Sequence, residues 1–176
     1  GTLSTDGGAL NINAAILNNG ALALTGGGDE SIANMNGTGT TSLSGGSILT
    51  LNTGVSNING VISGAGGLTV AGGTTNLGAA NTYSGATTVN SGGTLNVLAA
   101  GAIAGASTVN AGGIMTNAGT VADVSNAGSF TNSGTAGELV NTGAGFGSNT
   151  GTLAGLVHNS TGTFDNAGAV NGGTSI

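Results

Sequence analysis

Residues 109–172 read VNAGGIMTNAGTVAD (109–123), VSNAGSFTNSGTAGE (124–138), LVNTGAGFGSNTGTLAG (139–155) and LVHNSTGTFDNAGAVNG (156–172), four tandem segments of nearly equal length that can be laid over one another. With slips of one residue, apolar positions align as Val109, Val124, Val140 and Val157, then Ile114, Phe130, Phe146 and Phe164, then Val121, Ala136, Leu153 and Val170. Asn117, Asn132, Asn149 and Asn166 form a fourth row, each followed two residues later by Gly. Repetition at so short a period marks a solenoid, in which one repeat buries its apolar side only by stacking on the next.

The same vocabulary extends outward from these repeats. Residues 79–97, AANTYSGATTVNSGGTLNV, contain the only tyrosine, Tyr83. Short alternating runs at 67–70, 86–89 and 94–97 read as strands. The clusters 71–73, 81–85 and 90–93 hold the Gly, Asn and Ser that tight turns favour. Farther upstream, 8–12, 20–24, 47–51 and 59–62 are short apolar runs bounded by Gly or Asn. Helix signals are nearly absent, because each recurring Gly costs a helix about 1 kcal/mol relative to Ala. The alanine-rich stretch 98–105 reads as a loop or tight corner.

Each run can bury only one or two side chains, since alternate residues face opposite ways. Stacking coils in parallel lines these residues into a narrow core, and Asn at matching corners can form amide ladders from coil to coil. The sequence therefore predicts an all-β parallel β-helix, a single segment over residues 1–176 with the four tandem coils at 109–172. At roughly 15–20 residues per coil it makes about 9–11 coils and a rod ~40–50 Å long.

Composition sets the limits on function. Of 176 residues 39 are Gly, there is no Pro, Cys or Trp, and the absence of Lys and Arg leaves a formal net charge of −6. With no basic side chain to neutralise phosphates, neither nucleic acid nor an anionic membrane surface is an expected partner. No run approaches the ~18–20 apolar residues of a membrane helix, so membrane insertion by this segment is not expected. Residue 1 opens mid-pattern without a signal peptide, and the chain reads as part of a longer one.

Residues 61–97, VISGAGGLTVAGGTTNLGAANTYSGATTVNSGGTLNV, resemble the passenger-associated repeat of bacterial autotransporters. The resemblance rests on Gly64 through Val70, on Ala80-Asn81-Thr82-Tyr83-Ser84-Gly85, and on Thr87-Thr88-Val89-Asn90 followed by Gly93-Thr94-Leu95. It covers about a fifth of the chain strongly; the rest is similar in style to the Asn- and Gly-rich coils of large secreted adhesins. The family commonly carries Lys where this chain has Val70. The resemblance implies a right-handed parallel β-helix, carried across the outer membrane of Gram-negative bacteria, and a repeat associated with export and folding.

Few residues could carry chemistry. His158 is the only imidazole, stands where the preceding segment has Asn141, and has no clustered partner in the sequence, so an exposed polar role is expected. Asp29-Glu30 after Gly26-Gly27-Gly28 lacks the repeated pattern of a calcium-binding glycine loop and reads as a solvated loop tip. Asp123 and Glu138 end successive repeats and could stack about 5 Å apart, raising one pKa or recruiting a cation. Gly155 and Gly172 follow at that position, so surface charge is the expectation. Thr74-Thr75 and Thr87-Thr88 suggest a hydroxyl ladder, but no regular Thr-x-Thr recurs from coil to coil.

No catalytic, cofactor or metal site is assigned, and no enzyme activity is expected, because no carboxylate pair has an obvious partner. Tyr83 reads as a corner residue packing over a turn. The expected role is a rigid display rod at the bacterial surface or outside the cell. The alternatives are end-to-end self-association into fibres, through this segment or other passenger coils, and direct binding of a glycan or host surface.

Overall fold

The computed structural model describes residues 2–5 and 8–175. Among them there is no helix, and every strand pairing is parallel, in a β-solenoid of about nine coils. The coils can be numbered by their residues: 11–24, 30–43, 48–64, 67–84, 87–103, 107–121, 124–136, 139–153 and 157–170.

A coil crosses three faces in turn. The first face stacks Ile48–Leu51, Gly67–Val70, Thr87–Val89, Ser107–Val109, Val124–Asn126, Leu139–Asn141 and Val157–Asn159. The second stacks Val55–Ile58, Gly73–Leu77, Gly93–Val97, Ile114–Asn117, Ser129–Asn132, Phe146–Asn149 and Thr163–Asn166. In the first two coils the single strands Asn11–Leu17 and Glu30–Gly37 run through both faces. The break comes at Asn52-Thr53-Gly54, where Gly54 takes a φ of 72° that favours glycine. The third face is made of two sheets, one from Ala21–Leu24 through Thr40–Leu43 to Ile62–Gly64 and one of short strands from Ala102–Ile103 to Ala169–Val170; between them the fourth coil contributes no strand to this face.

Period-2 alternation decides which side chains enter the core. Thr50 faces outward between the buried Leu49 and Leu51, and Thr69 likewise stands between Leu68 and Val70. The inward column Ile32, Leu51, Val70, Val89, Val109 is aliphatic in five successive coils and then becomes Asn126, Asn141, Asn159. The column Ile58, Leu77, Val97 on the second face changes to Asn117, Asn132, Asn149, Asn166. The change accompanies a contraction of the coil: the step along the chain from Val124 to its stacking partner Leu139 is shorter than the step from Leu49 to Leu68. A tighter coil has less room for aliphatic bulk at its corners, and the amide that replaces it satisfies the corner backbone.

Two of the rows expected from sequence are confirmed by register: the Asn row from Asn117 to Asn166, and Val121, Ala136, Leu153, Val170. The other two are corrected. Val109 stacks on Asn126, while Val124 stands between Ser107 and Leu139, and Val140 faces outward between Ser125 and His158. Ile114 and Phe146 belong to an outward row with Ser129, whereas Phe130 and Phe164 share an inward column with Met115 and Gly147. Gly147 separates the two inward rings, so phenylalanine does not stack on phenylalanine in adjacent coils. The stretch 98–105 is also only partly a corner: Ala102–Ile103 is a strand of the third face, with Ile103 buried.

Candidate functional site

The asparagine ladders are the most organised polar feature of the molecule. Asn117 Nδ2 donates to Asn132 Oδ1 at 2.8 Å, Asn132 to Asn149 at 2.8 Å, and Asn149 to Asn166 at 2.8 Å. The same nitrogens also reach carbonyls of the third face, those of Thr135, Thr152 and Ala169. The glycine two residues on donates its N–H back to the amide oxygen, at 3.1 Å for Gly119 and 3.2 Å for Gly168. Asn-x-Gly thus folds a corner on itself and ties it to the next coil, which satisfies buried amides that would otherwise cost stability.

A second ladder escaped the sequence reading. Asn126 Nδ2 donates to Asn141 Oδ1 at 2.7 Å, and Asn141 to Asn159 at 2.9 Å. The signal was present, since Asn126-Ala127-Gly128 and Asn141-Thr142-Gly143 repeat the Asn-x-Gly pattern. On the outer surface Asn96 donates to Asn76 and Asn76 to Asn57, both at 2.8 Å.

Tyr83 lies inside the core and is fully buried. The chain at 82–84 continues the third face, with Thr82 N–H on the Ile62 carbonyl and Ser84 N–H on the Gly64 carbonyl, both at 2.9 Å. The phenol oxygen lies 2.6 Å from Thr87 Oγ1, itself buried. The expected corner residue packing over a turn is therefore a core residue, and its hydroxyl is unavailable to a ligand. Burial pushes the phenol up to about 12 from 10.0, against a smaller lowering by the Thr87 hydrogen bond.

The raised value ties stability to alkaline pH. The folded state favours the neutral phenol, so its contribution is fully present below the unfolded pKa of 10.0 and is lost as pH rises through about 12. A shift of that size corresponds to roughly 3 kcal/mol. No Lys, Arg or Cys titrates in this window. We expect stability to denaturant to fall between pH 10.0 and about 12, ahead of the rise in tyrosinate absorbance of the folded protein, and Tyr83→Phe to abolish that fall at a cost of about 1–2 kcal/mol at neutral pH. A wild-type denaturant midpoint that stays flat from pH 10.0 to about 12 contradicts this.

The remaining candidates are dispersed. His158 is half-exposed on the first face, with Nε2 3.7 Å from Glu138 Oε1. Its counterpart in the preceding coil is Val140, not Asn141, and Glu138 is the nearby partner the sequence did not reveal. Asp123 and Glu138 do meet on adjacent coils, but Asp123 Oδ1 accepts the backbone N–H of Glu138 at 2.8 Å. That carboxylate is used as a backbone cap. Among the described residues no group of three or more His, Asp or Glu is placed to hold a metal ion.

Glu30 is a correction. Asp29 is exposed as expected, but Glu30 is fully buried, where it opens the strand Glu30–Gly37. Its carboxylate accepts the Leu10 N–H and the Thr5 hydroxyl, so it holds the preceding turn of chain onto the core.

Thr74 and Thr94 stack in register and face outward, while Thr75 and Thr87 are buried. A longer hydroxyl row, unseen in the sequence, runs up the first face through Ser31, Thr50, Thr69, Thr88, Thr108 and Ser125. From Ser31 to Thr88 its members recur at one fixed step along the chain, so that part was readable from sequence at the coil period; only the upper end drifts, the step from Thr88 to Thr108 being longer than that from Thr108 to Ser125.

No family model, curated protein or solved structure matches the chain. The autotransporter resemblance therefore rests on residues 61–97 and on the solenoid they belong to.

Proposed function

We propose that this chain is a structural segment of an extracellular, autotransporter-like passenger, a rigid rod that holds another region away from a bacterial surface. The observation that carries the reading is the stacking of residues 61–97, where the repeat resemblance lies, onto the first two faces of the coils on either side, with residues 80–84, which form no strand, hydrogen-bonded to Ile62, Gly64 and Ala102 on the third. Asn81 and Tyr83, two residues that carry the resemblance, are both buried. Asn81 Oδ1 accepts the Ile62 N–H at 2.8 Å, and its Nδ2 donates to the Ala79 and Ala102 carbonyls. Those bonds join the third, fourth and fifth coils and support a role in forming the stack. About nine coils at the ~4.8 Å strand spacing give a rod about 43 Å long.

The gene context tests the reading. A membrane β-barrel encoded downstream in the same reading frame is the expected result, and its absence from the full-length gene contradicts it. With the full-length gene expressed in a Gram-negative host, in-frame removal of residues 68–106 should lower the amount reaching the cell surface several-fold. Unchanged surface display would contradict a role in export.

A further inference from the structure

We propose that a notch at the edge between the first and second faces, in the seventh coil, binds a neutral saccharide. The neighbouring coils turn this edge with longer corners: Asn110–Gly113, closed by the Gly113 N–H on the Asn110 carbonyl at 2.8 Å, and Thr142–Gly145, closed in the same way at 2.9 Å. The seventh coil has only Ala127 and Gly128 between its strands. The missing residues leave a groove of about 350 Å³ between Ala111 on one wall and Ala144 on the other, with Ala127 as floor, opening toward Ile114 and Ser129.

The surface beside the notch has two chemistries in register. Ile114, Ser129 and Phe146 form one outward row on successive coils, with Ile114 45% and Phe146 38% exposed. Two residues along each strand, Thr116, Thr131 and Ser148 form a parallel row of hydroxyls. Rows are separated by about 6–7 Å along the strand and coils by ~4.8 Å. A pyranose ring has matching parts, an apolar C–H face to lie on Phe146 and Ile114 and a rim of hydroxyls to meet the Thr and Ser row.

Charge and desolvation choose among ligands. The chain has no Lys or Arg to balance an anion. Thr116 Oγ1 already donates to Asn96 Oδ1 at 2.7 Å, so the choice rests on Thr131 and Ser148, whose hydroxyls an aliphatic peptide side chain would cover without pairing, which costs stability, whereas a saccharide pairs them. The site is also held rigid before any ligand arrives. Asn126 Nδ2 donates to the Phe146 carbonyl at 2.9 Å, and Asn126 Oδ1 accepts the Gly128 N–H at 3.2 Å, so one amide fixes both the floor and the aromatic strand.

Saturation-transfer NMR with a panel of uncharged oligosaccharides, built from glucose, xylose, mannose or N-acetylglucosamine, tests the proposal. Oligogalacturonate and a leucine-rich uncharged peptide serve as competitors. We expect at least one uncharged oligosaccharide to bind, and Phe146→Ala to weaken it about tenfold, the scale of one aromatic contact. Inserting Ala-Gly between Ala127 and Gly128, which restores the corner length of the neighbouring coils, should abolish binding with the far-UV spectrum unchanged. Thr88→Ala on the first face should leave affinity as it was. Failure of every uncharged oligosaccharide to bind overturns the proposal. So do equal affinity in the Phe146→Ala protein and preference for the acidic oligomer or the peptide.

Discussion

Replacing Asn132 by Asp should destabilise the solenoid by about 3–5 kcal/mol at neutral pH, the cost of a buried charge without a partner. Asn132 is fully buried, its Oδ1 accepting from Asn117 and its Nδ2 donating to Asn149 Oδ1, the Thr152 carbonyl and the Gly134 carbonyl. A carboxylate puts an acceptor where three acceptors already point. The chain supplies no Lys or Arg to neutralise it. The protonated acid, in contrast, can donate again, so the folded state of this variant favours the neutral form. Its carboxyl is raised above the unfolded value, and the variant is therefore most stable below that value and loses stability as pH rises through the folded one. Denaturant unfolding of Asn132→Asp should show its midpoint recovering toward wild type on acidification. A variant as stable as wild type at neutral pH would mean that the ladder contributes little.

Gly134→Ala should cost about 2–4 kcal/mol, through overpacking against backbone that cannot yield. A Cβ at Gly134 would collide with the Gly119 carbonyl oxygen and stand 2.7 Å from the Ala118 carbonyl carbon. Relief requires the coils to part, and the bond from Thr135 N–H to the Gly119 carbonyl, 2.8 Å long, would be lost with it. Gly151 meets Gly134 and Gly168 meets Gly151 in the same way, so the row works as a stack of corners without side chains. Because each coil touches only its neighbours, the damage should be local. Amide hydrogen exchange should quicken in coils six to eight and stay slow around Leu68 and Leu95. The exposed neighbour Ser133→Ala, which removes only the bond from its hydroxyl to the Asn117 carbonyl, should cost no more than about 1 kcal/mol. Equal effects at 133 and 134 would contradict the close-packed corner.

The solenoid was legible because its corners repeat in residue type. Asn-x-Gly recurs at nearly fixed spacing, and both its amide ladder and its glycine stack follow from that pattern. Face assignment was less legible, for a physical reason: with a period of two, a slip of one residue turns a side chain from core to solvent. Aligning Phe146 with Phe130 matched residue types but crossed that boundary, since Phe146 pairs with Ser129. The valine row failed because the seventh coil is shortened at the corner after Asn126, and a comparison by letters opens the gap elsewhere. Glu30 and Tyr83 were misplaced for a related reason. Their neighbours read as turns, and only the stacking of coils shows that the chain there passes over the core.

The polar candidates were readable as residues but not as contacts. Asp123 and Glu138 were correctly brought to adjacent coils, yet nothing in the sequence distinguished a paired carboxylate from a cap on a backbone N–H. His158 and Glu138 are distant in the sequence and meet only because coils eight and nine stack. The notch is a missing pair of residues, visible only against the neighbouring corners.

The central claim is the parallel, in-register stacking of coils, and the absence of cysteine from the chain makes it directly testable by cross-linking. Thr69 and Thr88 face outward as register partners on adjacent coils, so their Cα atoms lie about 4.8 Å apart, inside the range that a disulfide spans. Thr50 and Thr88 lie in the same row two coils apart, about 9.6 Å, outside that range. Under mild oxidation the Thr69→Cys, Thr88→Cys protein should form an intramolecular disulfide to near completion, and the Thr50→Cys, Thr88→Cys protein should remain reduced. Failure of the first pair to close, or equal closure of the second, would contradict the solenoid and its register.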